Sequence, residues 1–269
     1  MVVLFQVPHG TDDRAGATVR PGAVQNPIKG GRLQLINRKQ IRYENLPIMV
    51  TPPKPVPAAR PFLKWAGGKT QLLNECNKRL PEELQGTKIT RYVEPFIGGG
   101  AVFFSLNQRF AFEQSYICDA NEELILAYRV IQKSVKKLIS ELEILKSDYF
   151  SRSEEEKEKF YYEVRDAFNR KLPETDFHKY HTGWIERTAQ IIFLNRTCFN
   201  GLFRVNRKGE FNVPFGRYKM PDILNEENLR DVAKVLKRTE ILFGDFTTCR
   251  EFVDDHTFVY FDPPYRPLN

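Results

Sequence analysis

The sequence has few of the residues that build disulfide frameworks or metal sites. Its 269 residues include four cysteines and four histidines. No two cysteines form the close pair that zinc sites use, which predicts reduced structural thiols and no metal site. His178 and His181 lie three positions apart, but no acidic or cysteine partner stands at ligand spacing, so we predict that both are surface residues.

Long apolar runs are also absent. No run approaches the ~18 residues of a membrane span. The N-terminus lacks a basic segment followed by an apolar segment and a cleavage site. We therefore expect no membrane partner and a cytoplasmic location.

Positive charge and aromatic side chains, in contrast, are plentiful. The chain has 41 Lys and Arg against 34 Asp and Glu, a net charge of +7, and 13% aromatic residues. This excess favours a polyanionic partner such as nucleic acid, although an ordinary basic surface is an equally good explanation on charge alone. The aromatic rings offer faces for stacking, but most must lie in the core.

Composition divides the chain into four segments. Residues 1–60 are rich in proline and glycine and predict a disordered N-terminal extension, within which Met49 is an alternative start of translation. Residues 61–130 and 239–269 have the alternating strands and helices of one α/β sheet. Residues 131–238, which interrupt this sheet, combine charged helical stretches, with a solvated helix start in 151–160, and a hairpin that turns at 207–209.

A glycine turn follows the first strand of the α/β pattern. In "EPFIGGG", residues 94–100, three glycines let the backbone approach a ligand closely and open a helix whose N–H groups can point at it. Asp119 ends the next strand, where a carboxylate can accept hydrogen bonds from ribose hydroxyls. Each feature alone has a plain alternative, tight packing or a helix cap, but the pair predicts a site for an adenosine-containing ligand.

The last strand runs into "YFDPPYRP", residues 260–267. It places the carboxylate of Asp262 and the carbonyl of Pro263 at the carboxyl end of the sheet, and the two prolines offer no N–H that would compete. Two such acceptors suit an exocyclic amine with two N–H bonds, and Tyr265 can stack on the base that carries it. A simple turn is the alternative.

A possible phosphate loop lies at "FLKWAGGKT", residues 62–70. The phosphate-loop consensus requires a glycine five positions before Gly68, but Leu63 stands there, and no apolar strand precedes it. A nucleoside triphosphatase is therefore a disfavoured reading. A helix-initiating turn with Trp65 in the core is the other alternative.

Together, "FLKWAGGK", "EPFIGGG", "NGLFRVNRKGEFNVPFGRYK" and "DPPY", in this order, resemble the Dam-type DNA adenine N6-methyltransferases of the D12 class, from about Arg60 to Leu268. The resemblance implies a Rossmann-like methyltransferase sheet with an inserted, mainly helical target-recognition domain at 131–238. It also implies S-adenosyl-L-methionine as methyl donor and double-stranded DNA as substrate. The predicted donor-binding residues are Trp65, Lys69, Glu94, Gly98, Asp119, Asp245, Phe246 and Asp262.

The same resemblance implies roles in catalysis and DNA recognition. The catalytic motif is Asp262, Pro263, Pro264 and Tyr265, which would hold the amine of a flipped adenine for direct methyl transfer. Arg204 would contact guanine, Phe199 would wedge into the opened duplex, and the other residues expected at the DNA would complete the surface, with GATC as the preferred target. Those other residues are Asn200, Leu202, Arg207, Lys208, Pro214, Arg217 and Tyr218.

The chain stops at Asn269, whereas members of this family continue further. From the usual sheet order we expect an incomplete sheet with the strand before Asp262 as an exposed edge, and a truncated, unstable chain with little activity. A catalytically inactive DNA-binding remnant and a cytosine N4-methyltransferase remain alternatives. A cognate restriction endonuclease is the expected functional partner if the enzyme is not a solitary one.

Overall fold

The computed structural model describes residues 3–6, 58–65, 73–110 and 112–263. Five strands form one sheet in the order β1-β5-β2-β3-β4. Strands β2 to β5 are mutually parallel, and β1 pairs with β5 in the antiparallel sense. The strands are β1 (Val3–Gln6), β2 (Arg91–Glu94), β3 (Gln114–Asp119), β4 (Thr239–Phe243) and β5 (Thr257–Phe261).

The parallel part of the sheet confirms the predicted α/β architecture. Val93 on the central strand β2 is fully buried and lies opposite Tyr116 of β3 and Val259 of β5. Burial on both faces is typical of parallel sheets and explains the apolar run of β5, residues 258–261. β3 and β5, which flank β2, come from the two sequence segments on either side of the predicted insertion.

Six α-helices accompany the sheet within the described residues. They are α1 (Leu73–Lys78), α2 (Ala101–Arg109), α3 (Glu122–Phe150), α4 (Glu154–Arg170), α5 (Gly183–Thr197) and α6 (Glu226–Leu236). Side chains start several of them: Asn121 accepts a hydrogen bond from the Leu124 N–H, and Ser153 forms a capping box with Glu156. Short 3₁₀ helices lie at Glu82–Gln85, Leu172–Glu174, Phe199–Gly201 and Phe246–Phe252.

Helix α3 is kinked at Ser134, which has non-helical dihedral angles of φ −141° and ψ 30°. The Ser134 hydroxyl lies 2.5 Å from the Tyr180 hydroxyl. Both halves of α3 contact α5: Glu123 in the first half pairs with Arg187, and Tyr149 in the second half meets Phe193 with ring centroids 5.7 Å apart. The kink lies close to the predicted start of the insertion at residue 131, so a single helix runs from the sheet into the inserted region.

Two expectations about the ends of the sheet are corrected. The strand before Asp262 is not an open edge, because β1 pairs along it with Val3 opposite Phe261 and Gln6 opposite Phe258. For Val3–Gln6, the prediction of disorder is therefore wrong. Order also begins before Pro61: Ala59 is fully buried, and the Arg60 N–H donates to Asn228 Oδ1 of α6 at 2.8 Å.

Candidate functional site

The candidate site lies where the parallel strands end. β2 ends at Glu94 and β3 at Asp119, β4 is followed by Gly244 and Asp245, and β5 is followed by Asp262 and Pro263. The carboxyl ends of parallel strands meet at one edge of a sheet, and ligands of open α/β sheets bind there. Residues predicted separately from three sequence motifs are thus brought to a common edge.

The glycine turn is held open by Asp119. Asp119 Oδ2 accepts a hydrogen bond from the Gly98 N–H at 3.0 Å, and Oδ1 accepts from the Asn121 N–H at 2.9 Å. The Tyr128 hydroxyl donates to the Gly98 carbonyl at 3.1 Å. Gly98 has a φ of 49°, a conformation that favours glycine. Burial raises the pKa of Asp119, against the lowering effect of the backbone N–H groups that it binds.

Glu94 is the most buried carboxylate of this edge, with 3% of its surface exposed. It accepts a hydrogen bond from the Tyr92 hydroxyl at 2.6 Å and another from the Phe103 N–H at the start of α2. Burial raises its pKa well above the usual range, and the nearby charges of Asp262 and Asp119 raise it further. Carboxylates gathered in this way favour a ligand that carries positive charge and hydrogen-bond donors.

An aromatic cluster lies beside these carboxylates. Phe96, which follows β2, meets Phe261 edge-on at 5.1 Å between ring centroids, and Phe246 lies 5.6 Å from Phe261 and 6.1 Å from Phe96. Phe246 remains 49% exposed, so part of its ring is accessible to a ligand. The adjacent Asp245 caps the following 3₁₀ helix by accepting the Thr247 N–H, and the Thr247 hydrogen bonds lower its pKa.

Trp65 connects this edge to the inserted region. Its ring packs against the glycine turn so closely that a Cβ placed on Gly98 would lie 3.1 Å from Trp65 Cδ1. The Trp65 ring also stacks on the Phe203 ring, with centroids 4.9 Å apart and an interplanar angle of 18°. Trp65 is half-buried and so partly fits the alternative of a core residue, but its two neighbours are the glycine turn and the predicted recognition region.

Residues 199–218, the recognition segment, display the predicted DNA-binding side chains at the surface. Phe199 is 52% and Leu202 39% exposed, which excludes the alternative that they are core residues. The segment is held by pairing of Cys198 with Phe215 and of Val205 with Phe211, which confirms the predicted hairpin around 207–209. Exposed or half-buried members of the predicted set are Phe199, Asn200, Leu202, Arg204, Arg207, Lys208, Pro214, Arg217 and Tyr218.

Several of these side chains are already oriented. Arg204 Nε donates to Asn212 Oδ1 at 2.9 Å, and its Nη2 donates to the Asn212 carbonyl at 3.2 Å. Arg217 pairs with Glu158 of α4 at 2.9 Å. Arg204 is therefore held by a partner from its own hairpin, while its exposed guanidinium remains available to a ligand.

Lys64 is a residue of this surface that the sequence analysis missed. Its backbone N–H donates to Asn195 Oδ1 at 2.8 Å, and Asn195 Nδ2 donates to the carbonyls of Lys64 and Gly201 at 2.9 and 3.0 Å. The exposed Lys64 ammonium lies 5.4 Å from the centre of the Tyr218 ring. No signal in the sequence indicates that Lys64 belongs to this surface, because Lys64 and Tyr218 lie far apart in sequence and meet only in the folded chain.

Several residues named in the sequence analysis are not part of this described site. Lys69, Pro264 and Tyr265 lie outside the described residues, as does most of the "WAGGKT" run. His178 and His181 are exposed, as predicted. Within the described ranges, no three or more His, Cys, Asp or Glu side chains are grouped to hold a metal ion, and none of the helices has the length and apolar character that crossing a membrane requires.

Comparison with known proteins gives matches over most of the chain. Residues 65–269 match the family model of the D12 class N6 adenine-specific DNA methyltransferases. The type II methyltransferase M.MjaIII of Methanocaldococcus jannaschii is 52% identical over 78% of this chain and 70% of its own length. The type II methyltransferase M1.LlaDCHI of Lactococcus lactis is 39% identical over 78% and 67% of the two chains, and the DNA adenine methylase of Haemophilus influenzae is 37% identical over 80% and 67%.

Proposed function

The chain belongs to the D12 class of N6 adenine-specific DNA methyltransferases, and from this premise we propose that it methylates adenine N6 in GATC sites with S-adenosyl-L-methionine as the donor. The observation that carries the proposal is the convergence of Glu94, Asp119, Asp262 and Pro263 at the carboxyl end of the sheet, next to the exposed recognition segment. One edge then offers acceptors for both the donor and the target amine.

The residues of the edge fit the proposed donor. S-adenosyl-L-methionine, when bound, supplies an electrophilic methyl group on a positively charged sulfonium. The charges of Asp262 and Asp119 raise the pKa of Glu94, and a cationic ligand would offset this repulsion between carboxylates. Asp119 would accept hydrogen bonds from the ribose hydroxyls beside the glycine turn. Phe246 and Trp65 would pack on the ligand. By resemblance, Lys69 would face its carboxylate and Asp245 would line the adenine pocket.

Asp262 and Pro263 would hold the target amine. Adenine N6 is a poor nucleophile because its lone pair is delocalised into the ring. Hydrogen bonds from its two N–H groups to the Asp262 carboxylate and the Pro263 carbonyl favour the geometry that localises this pair. By resemblance, Pro264 would belong to the catalytic motif and Tyr265 would stack on the base, which must leave the duplex at a cost of about a few kcal/mol.

The recognition segment would read the DNA. Arg204 would make the bidentate contact to guanine O6 and N7, and Phe199 would wedge into the opened duplex. Arg207 and Lys208 would contact phosphates and fix the register. Lys64 joins this surface because its ammonium lies over Tyr218. The remaining predicted members of the surface are Asn200, Leu202, Pro214 and Arg217.

Incubation of the purified 269-residue chain with labelled S-adenosyl-L-methionine and a duplex that contains one GATC site tests the proposal. The proposal requires label in DNA and N6-methyladenine after nucleoside digestion at any turnover rate, including the low rate expected from the sequence, with less label for a duplex in which one base pair of the site is exchanged. Detection of N4-methylcytosine instead would favour the cytosine alternative. DNA binding without any transfer would support the inactive remnant and contradict the proposal.

The relatives named type II methyltransferases suggest a biological setting. We propose a cognate restriction endonuclease as a functional partner that cuts the same site when it is unmethylated. Digestion of the host's DNA by endonucleases that differ in sensitivity to GATC methylation tests for methylation in the host, and cleavage of unmethylated GATC duplexes by a host extract tests for the endonuclease.

A further inference from the structure

The stack between Trp65 and Phe203 joins the two sites that the proposed function requires. We propose that Phe203 is a positioning residue that couples binding of the methyl donor to binding of DNA. Phe203 would touch neither the donor nor the DNA. It would act on the donor site through Trp65 and on the DNA surface through its sequence neighbours Leu202 and Arg204. The inference rests on the proposed function.

The contacts of Trp65 make it sensitive to the donor site. Its indole Cδ1 lies 3.1 Å from the position that a Cβ on Gly98 would occupy, and its own Cβ lies 3.3 Å from the corresponding position on Gly99. Gly98 is fixed by hydrogen bonds to Asp119 and Tyr128, so the turn has little freedom to yield. A ligand that packs on this turn therefore restricts the indole.

The contacts of Phe203 make it sensitive to the recognition segment. Its ring stacks on Trp65 and also meets Phe211 of the hairpin at 5.9 Å between centroids. Arg204 follows it directly in the chain and bonds to Asn212 of the same hairpin. When the Phe203 ring is ordered, the conformations available to its neighbours Leu202 and Arg204 are therefore restricted.

Asn195 gives this connection a rigid base. Its buried side chain binds the N–H and the carbonyl of Lys64 and the carbonyl of Gly201. The backbone on both sides of the stack is therefore fixed, and the remaining freedom lies in the two rings. Ordering of these rings by one ligand lowers the entropy that the second ligand must remove, which produces positive coupling without a large movement.

The test measures one coupling factor in several variants. S-adenosyl-L-homocysteine, the unreactive product form of the donor, and a fluorescently labelled GATC duplex serve as probes. The affinity for DNA is measured by anisotropy with and without saturating S-adenosyl-L-homocysteine, and the ratio of the two is the coupling factor. We expect a factor of about five or more for the parent chain, the lower end of typical coupling, and about one for Phe203→Ala.

Two control variants separate the stack from general damage. Phe203→Tyr keeps the stacking ring and should restore the coupling factor. Phe252→Ala removes another stacked pair, in which Phe252 and Tyr116 also have an interplanar angle of 18°, and it should leave the factor unchanged. Thermal melting of each variant verifies that it is folded.

The indole itself gives a second readout. The chain has two tryptophans, and Trp184 is only 1% exposed, so the emission change on addition of DNA reports mainly Trp65. This change should be smaller in Phe203→Ala than in Phe203→Tyr. A Phe203→Ala chain that binds both probes with the coupling factor of the parent would overturn the inference alone, whereas a parent chain that binds neither probe would overturn the proposed function as well.

Discussion

The carboxyl-end edge of the sheet and the recognition segment hold their side chains in different ways. At the edge, Glu94 is buried and both it and Asp119 accept hydrogen bonds from main-chain N–H groups. In the recognition segment, Phe199 and Leu202 are exposed, and Arg204 is held by a single asparagine. The side chains proposed to bind the donor are therefore fixed by the fold, whereas those proposed to bind DNA keep conformational freedom to adapt to it.

The largest effect on stability is expected at the ion pair between α3, which follows Asp119 of the sheet edge, and α5, which leads into the recognition segment. Arg187 on α5 donates from Nε to both carboxylate oxygens of Glu123 at 3.0 and 2.9 Å, and it also binds the Phe168 carbonyl. Arg187→Met leaves the buried Glu123 without its charge partner, so we expect a loss of about 3–5 kcal/mol in the free energy of unfolding. Urea denaturation measures this loss.

A double variant sharpens the same experiment. Glu123→Leu with Arg187→Met removes both charges and should recover most of the lost stability, because a well-packed apolar pair avoids desolvation. A cost below about 1 kcal/mol for the single variant would show that the pair does not hold the two regions together.

A second experiment separates chemistry from binding. Asp262→Asn replaces an acceptor oxygen by an amide donor that opposes the N–H groups of the target amine. We expect the methylation rate to fall by about 100-fold to 1,000-fold, with DNA affinity unchanged. The exposed Asp255→Asn is the matched control and should keep the parent rate. An equal fall in DNA affinity and rate for Asp262→Asn would contradict the assignment of Asp262 to the amine.

A third experiment divides the recognition segment itself. Arg204→Ala should reduce discrimination at one base pair by about 1–3 kcal/mol, because a bidentate guanine contact is lost. Arg207→Ala should weaken binding to all duplexes alike and lower the slope of affinity against salt by about one, because only a phosphate contact is lost. Competition binding with duplexes that differ at each site position, at several salt concentrations, distinguishes these results.

The smallest effect concerns the edge of the sheet alone. Burial raises the pKa of Glu94 above its unfolded value, so the native state binds more protons and this group's contribution to stability is lost as the pH rises through the native pKa. Glu94→Gln cannot titrate. Relative to the parent, it should therefore gain stability as the pH rises from about 4.5 towards neutral. Parallel curves of unfolding free energy against pH would contradict the raised pKa.

Local patterns in the sequence were sufficient for much of the fold. The strand, glycine turn and helix around Gly98, the strand that ends at Asp119, and the hairpin near 207–209 all follow from short-range rules on periodicity and turns. The pairing of β1 with β5 was not predicted, because strand pairing depends on contacts between distant segments and Val3–Gln6 lies in a proline-rich context. The kink of α3 at Ser134 was missed for a related reason, since no proline or glycine marks it.

By itself, the sequence determined the identity and order of the chemical groups: the glycine turn, Asp119, the arginines of the recognition segment, and Asp262 followed by two prolines. Only the tertiary structure decided which groups meet. It joined Glu94 to Asp119 and Asp262 at one edge, Lys64 to Tyr218, and Trp65 to Phe203. The physical reason is that residue spacing governs backbone geometry over a few residues, whereas contacts between segments distant in sequence arise from the packing of helices and strands into a common core.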